Sequence, residues 1–582
     1  MTVNISSIKR NTLINNLEQI KEYVVKTGSD KELLEKIDEI HKELLLNKYG
    51  LVFEEHEENI DRILKDNLPV YTQEKDLIID GDRFNFLIEG DNLAALQLLK
   101  KTHKNLIDYI YIDPPYNTKN KDFMYDDSFI DPNDSFKHSK WLSFMEKRLL
   151  EAYSLLKDTG CIMISINEEE VFELKMLCDK IFGYDNYMAM FSVKVRHQDR
   201  ILKGDKDFHE IMEYMLMYRK TSNFRTIKRL VDNTSNKDYV YQIIENVEST
   251  ESINMDGKEV KVFKPNEYEI RKLPASAENL KKINIRGSIK EGNSSGRFFM
   301  KHLEKFIGKN LGYLYKVPNM GDDKFGYRYF LIPDNPKRAN GDYFQGVPLN
   351  RKSIKEVPYP NYIEIENEYL YEERLNYLDF ETDFNNVGYE GYVEFRNGKK
   401  PLNFLDKCFE LAGVKKNKNA IVLDFFAGSG STGHALMKLN NEDNGNRKFI
   451  LVTNSENNIC RDVTYKRLSS VINEDNYDEG LKFYKIDFID IKDKEYYDYS
   501  DKLMNHISEL IEIENNIDIA KSDDFRIILN DDELEKFIDN NCIAKKIYIG
   551  SDVLIDNKAN NYLIQKGIQL IRVPEHYYKS IV

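Results

Sequence analysis

Two short apolar strands, each running directly into a distinctive loop, constrain this chain more than any other feature. Leu106-Ile107-Asp108-Tyr109-Ile110-Tyr111-Ile112 leads into Asp113-Pro114-Pro115-Tyr116-Asn117-Thr118, and Ala420-Ile421-Val422-Leu423 leads into Asp424-Phe425-Phe426-Ala427-Gly428-Ser429-Gly430-Ser431-Thr432. Strand and helix patterns alternate around both. Phe86-Leu87-Ile88, a helix from Leu93 to Lys101, a helix from Trp141 to Leu156 and a buried strand from Cys161 to Ile166 accompany the first, and a helix through Leu439 and a strand from Phe449 to Thr453 follow the second. Such alternation predicts an α/β fold with a parallel, Rossmann-like sheet, which the two blocks are expected to share. Between them lie roughly 230 residues rich in Tyr, Asn, Lys and Arg with weak periodicity, too many for a loop in a compact domain. An inserted domain is expected there.

The flanks read differently. From Ile5 to Leu51, apolar positions such as Ile14, Leu17, Ile20, Val24, Leu33, Ile37, Ile40 and Leu44 recur mostly at three and four, the spacing of amphipathic helices. The tail repeats the αβ alternation in miniature, with strands at Arg526 to Leu529, Lys546 to Ile549 and Ile568 to Val573 around helices near Glu533 to Ile538 and Asn561 to Gln565. The expected organisation is an N-terminal helical region (1–75), one half of the sheet (76–188), an insert (189–390), the other half (391–480) and a small C-terminal α/β unit (481–582).

At 582 residues and 41% hydrophobic, the chain has material for more than one core. No apolar run approaches the roughly 20 residues of a membrane span and no signal segment opens the chain, so a soluble, cytoplasmic protein without a membrane partner is expected. The five cysteines (Cys161, Cys178, Cys408, Cys460, Cys542) show no metal-ligand spacing, and no metal is expected. A net charge of -15 argues against a polyanionic partner only if charge is evenly spread. It is not: Phe191 to Asn310 carries 24 Lys plus Arg against 17 Asp plus Glu, which makes the middle of the chain the expected nucleic-acid face, although a solvated charged surface gives the same count.

The second loop has the form of a ligand cradle. Gly428 and Gly430 remove side chains that would block approach to bare backbone, and an acid at the strand end, Asp424, suits an ammonium better than a phosphate. A Walker A loop needs Lys and then Ser or Thr after its last glycine, whereas here Gly433 precedes His434. Beyond the next strand stands Glu456, placed as the acid that accepts ribose hydroxyls in nucleotide folds. Taken singly, the loop also serves as a structural turn and Glu456 as a surface acid. In the first loop, Pro114 and Pro115 remove both amide donors, which leaves carbonyls and Asp113 as acceptors, with the Tyr116 ring beside them. Together these make a receptor for a planar amine, although a bare Pro-Pro-Tyr is also a rigid turn.

With these loops in this order the chain resembles the DNA amino-methyltransferases of the β group, and specifically the modification (Mod) subunits of type III restriction-modification systems. Trp141-Leu142-Ser143-Phe144-Met145-Glu146-Lys147-Arg148-Leu149, Gly160 and Phe395-Arg396-Asn397-Gly398-Lys399-Lys400-Pro401 share in the resemblance, which covers about Asn85 to Glu456. It implies S-adenosyl-L-methionine as cofactor, with Asp424, Phe426, Gly428, Gly430 and Thr432 at its methionine end, Glu456 at the ribose, Asp91 near the adenine, and Lys400 and Pro401 closing the pocket. It implies Asp113, Pro114, Pro115 and Tyr116 as the catalytic loop acting on adenine N6 in double-stranded DNA by base flipping. Cytosine-N4 methylation, a non-catalytic DNA-specificity subunit, and methylation of RNA or a protein amide are the alternatives. Target recognition is expected in the insert, with Lys194, Arg196 and Arg200 on the DNA backbone. A homodimer and a separate restriction (helicase/nuclease) subunit are the expected protein partners.

Overall fold

Along the strand Ile107–Ile112 the side chains alternate between two cores: Ile107, Ile110 and Ile112 face one, Tyr109 and Tyr111 the other, and all are buried. A strand covered on both faces belongs to the middle of a three-layer sandwich, and its pattern is continuously apolar for that reason. In the computed structural model it is the sixth of ten strands. The model describes the chain except residues 1–4, 27–30, 46–52, 82, 119–123, 126–127, 130–133, 198–207, 227–228, 231–233, 250, 286–293, 322, 350, 352–370, 373, 394–398 and 579–582.

The sheet runs Asn67–Gln73, Gly480–Asp490, Phe84–Glu89, Lys448–Thr453, Ile421–Asp424, Ile107–Ile112, Leu156–Ile166, Met212–Arg219, Tyr187–Lys194, Tyr377–Asp379. Its six central strands, from Gly480–Asp490 to Leu156–Ile166, are mutually parallel. Antiparallel strands flank them, Asn67–Gln73 on one side and Met212–Arg219 on the other. One face packs the helices Asn92–His103, Lys137–Leu155, Val171–Phe182 and Ile507–Asn515 through Leu96, Trp141, Leu149, Leu174 and Leu510. The other packs Leu402–Leu411, Ser431–Asp443 and Lys466–Glu474 through Phe404, Leu436, Leu439 and Leu468. The expected α/β sheet shared by both sequence blocks is therefore present.

Residues 227–374 form a second compact unit. Within it a six-stranded antiparallel sheet runs Glu251–Met255, Lys258–Phe263, Leu314–Pro318, Tyr327–Leu331, Asp342–Gln345, Lys281–Asn284. The helix Ser294–His302 covers one face through Phe298 and Phe299, and the antiparallel pair Tyr241–Glu245 and Tyr268–Lys272 shares a smaller core with Phe263, Leu314 and Phe344. The expected insert, 189–390, was too long at both ends. Tyr187–Lys194 and Met212–Arg219 pair with each other and Met212–Arg219 pairs with Leu156–Ile166, while Tyr377–Asp379 pairs with Tyr187–Lys194, so these segments belong to the first unit. The expected boundaries at 75 and 480 shift likewise, because Asn67–Gln73 and Gly480–Asp490 are strands of the large sheet.

The N-terminal helices Ile5–Lys26 and Lys31–Leu45 pack on each other, with Val24 and Ile37 buried, while Ile20, Leu33 and Ile40 stay exposed. The C-terminal α/β unit is a parallel three-stranded sheet, Phe525–Ile528, Lys546–Gly550 and Gln569–Val573, with a small core of its own. Asn530 and Asp556 cap its helices by accepting from the Glu533 and Ala559 amides at 2.9 and 2.7 Å. Tyr548, Val573, Tyr577 and Tyr578 bury into the main core, so this unit is docked on the large sheet. No helix among the described residues is long and apolar enough to cross a membrane.

A buried ion pair fixes the C-terminal flank to the sheet. Glu512, on the helix Ile507–Asn515, accepts from Lys482 Nζ at 2.6 Å, the Tyr484 hydroxyl at 2.7 Å and the Ile519 amide at 3.0 Å. Lys482 is 1% exposed, and Asp518, at 3.5 Å, is its second counter-charge. Removing one member of a buried pair strands the other charge, at a cost of about 3–5 kcal/mol. Glu512→Ala is expected to destabilise the protein by about 3 kcal/mol, the lower end because Asp518 remains. Urea unfolding followed by circular dichroism checks it, and a loss under about 1 kcal/mol, the level of a surface pair, would show that the pair is not what anchors this helix.

Candidate active site

Parallel strands turn their carboxyl ends to one edge, and the loops leaving that edge build the site. Val422 and Leu423 pair with Tyr109 and Ile110, so Asp113 and Asp424 leave the sheet side by side although they are far apart in sequence. A cavity of about 630 Å³ opens there. Asp113, Pro114 and Pro115 line it from one loop, Asp424, Phe426, Gly428, Ser429 and Thr432 from another, Asp91 and Asn92 from the end of Phe84–Glu89, and Glu456 from beyond Lys448–Thr453. The sequence-predicted residues Asp91, Asp113, Pro114, Pro115, Lys400, Asp424, Phe426, Gly428, Thr432 and Glu456 thus share one cavity, whereas Tyr116, Pro401 and Gly430 do not line it.

The glycine loop is shaped by its own hydroxyls. Asp424 Oδ1 accepts from the Phe426 amide at 3.0 Å and Oδ2 from the Thr432 hydroxyl at 2.6 Å, which closes the loop on the strand end. Burial pushes the Asp424 carboxyl up to about 7, partly offset by these two donors. Gly428 has φ +49, and a Cβ there would have only the Phe426 carbonyl nearby, at 3.8 Å; its side-chain space is open. Gly430 has φ +74 and begins the helix Ser431–Asp443, where a Cβ would press Thr464 Cγ2 at 3.0 Å. The first glycine leaves room for a ligand and the second for the fold. Behind the loop the fully buried Arg467 donates to the hydroxyls of Ser431 at 2.7 Å and Ser429 at 3.2 Å.

Asp91 is chiefly a helix cap. Its Oδ1 accepts from the Leu93 and Ala94 amides at 2.7 and 3.4 Å, and its Oδ2 faces Arg148 at 3.4 Å. Arg148, 1% exposed, grips both oxygens of Glu58 at 2.8 and 3.1 Å, stacks on Phe144 at 3.6 Å and bonds Asn92, which in turn donates to the Phe425 carbonyl at 3.0 Å. This bracket ties Glu58, the helix Lys137–Leu155 and the glycine loop around the cavity. Sequence reading included Arg148 only within a motif and missed Glu58 and Asn92.

The catalytic-type loop is braced from both ends. Trp141 Nε1 donates to the Pro115 carbonyl at 2.7 Å. Asn117 takes the left-handed conformation, φ 56, and donates to buried Glu170, which also bonds His138 Nδ1 at 2.7 Å. Burial pushes the Glu170 carboxyl up to about 8. The Tyr116 hydroxyl lies 2.8 Å from Asp113 Oδ1 and 3.1 Å from Glu213 Oε2, and accepts from Lys400 Nζ at 2.7 Å. Lys400 was expected to close a cofactor pocket. It lines the cavity, but its ammonium pairs with Asp113 at 3.1 Å and Glu213 at 3.0 Å. Pro401 is the residue at which the helix Leu402–Leu411 begins. Glu213 was not foreseen, because only the pairing of Met212–Arg219 with Leu156–Ile166 carries it to this edge.

Of the expected DNA-backbone contacts, Lys194 pairs with Glu381 and, at 3.8 Å, with Asp379; Arg196 is exposed and donates to the Glu210 carbonyl at 2.8 Å. Arg200 lies outside the described residues, as do Phe395 to Gly398 of the expected motif. No group of three or more His, Cys, Asp or Glu arranged to hold a metal occurs among the described residues.

Comparison with known proteins gives the family. The chain is 30% identical over 419 residues to the type III restriction-modification enzyme StyLTI Mod subunit of Salmonella typhimurium, covering 67% of this chain and 56% of that one. It is 29% identical to the type II methyltransferase M.KpnI of Klebsiella pneumoniae, covering 69% of this chain and 90% of that one. The solved complex of M1.HpyAVI with S-adenosylmethionine matches at 12% identity and a TM-score of 0.26, covering 66% of this chain and 98% of that one. The chain spans about half the length of the type III relatives it matches. The family model described as DNA methylase matches residues 107–465, more than half of the chain and the stretch that holds both loops, and the chain belongs to that family.

Proposed function

We propose that this chain methylates adenine N6 in double-stranded DNA, with S-adenosyl-L-methionine as methyl donor, as the modification subunit of a type III restriction-modification system. The observation that carries this is the convergence of Asp113-Pro114-Pro115 and the Asp424 glycine loop on one cavity. The cavity's chemistry fits the donor. Asp424, strained toward protonation by burial, gains from a cationic ammonium; Gly428 leaves its side-chain space empty; Glu456 stands at the rim for hydroxyls; Phe426 and Ile459 offer apolar surface. Bound there, S-adenosylmethionine supplies an electrophilic methyl group on a sulfonium.

The remaining chemistry belongs to the chain. Adenine N6 is a poor nucleophile, its lone pair delocalised into the ring, and it is out of reach within a duplex, so the base must leave the stack. Trp141 occupies the Pro115 carbonyl, which leaves Asp113 and the Pro114 carbonyl as the acceptors for the two N6 hydrogens. Accepting both concentrates the lone pair on nitrogen, and holding the amine in place lowers the entropic part of the barrier. Asp113 or water then takes the proton lost after transfer. Tyr116, which does not line the cavity, braces Asp113 through its hydroxyl, and its stacking on the flipped ring, a contact worth about 1–3 kcal/mol, requires the base to reach past the cavity wall. Target reading falls to the unit 227–374, while Arg196 with its neighbours contacts phosphates. The DNA substrate puts the protein in the cytoplasm. Cleavage belongs to a separate restriction subunit, and methylation itself uses no ATP.

Asp113→Ala is expected to lower methyl transfer to unmethylated genomic DNA by about 10²–10³-fold or more, with cofactor affinity nearly unchanged. Tritium transfer beside calorimetric titration tests this, and nucleoside analysis of the product separates N6-methyladenine from N4-methylcytosine. Retained turnover would remove Asp113 from its role. Cofactor affinity is expected to carry the signature of Asp424. A cationic ligand binds its ionised form, so with the carboxyl pushed up to about 7 the dissociation constant should rise as pH falls below 7, approaching about tenfold per unit. Asp424→Asn should bind weakly with a flat profile between about pH 5.5 and 7. A wild-type profile equally flat would show that Asp424 meets no cation.

The exposed Ile20, Leu33 and Ile40 on the N-terminal helices suit self-association, and a homodimer lets one copy read DNA while the other methylates. Light scattering on the full chain is expected to give twice the monomer mass. A strictly monomeric, fully active protein would end the dimer reading.

A further inference from the structure

Lys400 is 7% exposed, and its ammonium donates to the Tyr116 hydroxyl at 2.7 Å and to Glu213 Oε2 at 3.0 Å and forms an ion pair with Asp113 Oδ1 at 3.1 Å. These groups come from three separate stretches of the first unit, namely the loop after Ile107–Ile112, the strand Met212–Arg219 and the segment before Leu402–Leu411. The Tyr116 hydroxyl has one proton to give, to Asp113 or to Glu213, and takes one from Lys400. Asp113 Oδ1 is therefore approached by both Lys400 and Tyr116, whereas its Oδ2 accepts from no described residue, and Asp113 lines the cavity.

We propose that Lys400 and Glu213 are positioning residues for methyl transfer: the ammonium anchors Asp113 by Oδ1 so that Oδ2 is presented as a charged acceptor to the target amine, and Glu213 holds the ammonium in place. The inference rests on the methyltransferase reading above. A neutral exocyclic amine has only hydrogens to offer on this side, so the acid must be an ionised acceptor; a protonated Asp113 would present a competing donor. Burial works against the charge and pushes the Asp113 carboxyl up; Lys400 pulls it down, and Glu213 pushes it up again. For Lys400, burial alone would lower the ammonium, yet the two carboxylates outweigh it and hold it above its ordinary value. The other titratable groups facing Asp113 are Tyr111 on its own strand, Tyr116 on its loop, and Asp424 on the neighbouring strand. Glu213 alone would be a liability to Asp113, and it makes sense as the partner that keeps Lys400 from withdrawing.

The two substitutions move Asp113 in opposite directions, which separates positioning from mere structural support. At saturating S-adenosylmethionine, so that Asp424 is already paired, the acid limb of kcat on unmethylated genomic DNA should shift to higher pH in Lys400→Met. The shift expected for loss of an opposite charge at this range is about 1–3 pH units. Glu213→Gln, which keeps an amide oxygen for Lys400 but loses the repelling charge, should shift the limb to lower pH. Lys400→Arg should restore most of the wild-type limb. Cofactor dissociation constants and melting curves are measured alongside. Should Lys400→Met fail to fold, Glu213→Gln and Lys400→Arg decide the matter. Limbs that stay put, or that move the same way in both charge-removing variants, overturn the proposal. An inactive wild type would instead overturn the methyltransferase reading on which it rests.

Discussion

The pairing of Ile421–Asp424 beside Ile107–Ile112 is the contact on which the rest of the structure depends. It spans only Val422 with Tyr109 and Leu423 with Ile110, yet it puts two loop-bearing strand ends at one edge. Parallel strands require a crossover, and here the crossover contains a whole second unit. Closing so long a loop is tolerable because its entropic cost grows only logarithmically, each doubling adding about 0.6 kcal/mol. What secures the pairing is burial on both faces. Tyr109 meets Phe409 edge-on at 6.1 Å and Tyr111 meets Phe404 at 6.3 Å, so the helix Leu402–Leu411 clamps the seam from one side while the Ile110 and Leu423 side chains join the core on the other.

Three buried cations and their partners hold the walls of the site. Arg148 is bonded to Glu58 and Asn92, Arg467 to Ser429 and Ser431, and Lys400 to Asp113, Glu213 and Tyr116. Each cation is buried, and each fixes a different wall: the rim toward the N-terminal segment, the back of the glycine loop, and the acceptor loop. Charge-assisted bonds of this kind are roughly twice as strong as neutral ones, and in a low-dielectric site they orient their partners without large motions.

How much of this was legible follows from how far each signal reaches along the chain. Asp113-Pro114-Pro115-Tyr116 and the loop from Asp424 to Thr432 are local: proline chemistry and glycine spacing disclose them, and both line the cavity apart from Tyr116 and Gly430. The central strands were equally plain, since a strand buried on both faces is a continuous apolar run. The insert's edges were not. Tyr187-Met188-Ala189-Met190-Phe191 and Met212-Glu213-Tyr214-Met215 carry no period that distinguishes the large sheet from a separate domain, and only their hydrogen-bonded partners assign them. Glu213 and Glu58 escaped for the same reason, being isolated acids until the fold brings Lys400 and Arg148 to them. Lys400 was assigned by the resemblance to the closing of the cofactor pocket, and its pairing with Asp113 was not legible because the two are far apart in sequence.

The cavity's charge explains what can enter it. Glu58, Asp91, Asp113, Asp424 and Glu456 line it against only Arg148 and Lys400, both of which are already paired. A field of that sign attracts a cationic donor and repels a phosphate, which on the proposed reading keeps the DNA backbone away from this edge and admits a nucleobase that has left the duplex. The same reasoning reconciles a chain of net charge -15 with the proposed polyanionic substrate. On that reading the counter-ion release that drives DNA association comes from cations elsewhere in the chain. On the proposed reading a basic reading surface and an acidic reaction chamber divide the labour, because the acids that attract a cationic donor would repel phosphates, while at Asp113 Lys400 offsets the neighbouring negative charge.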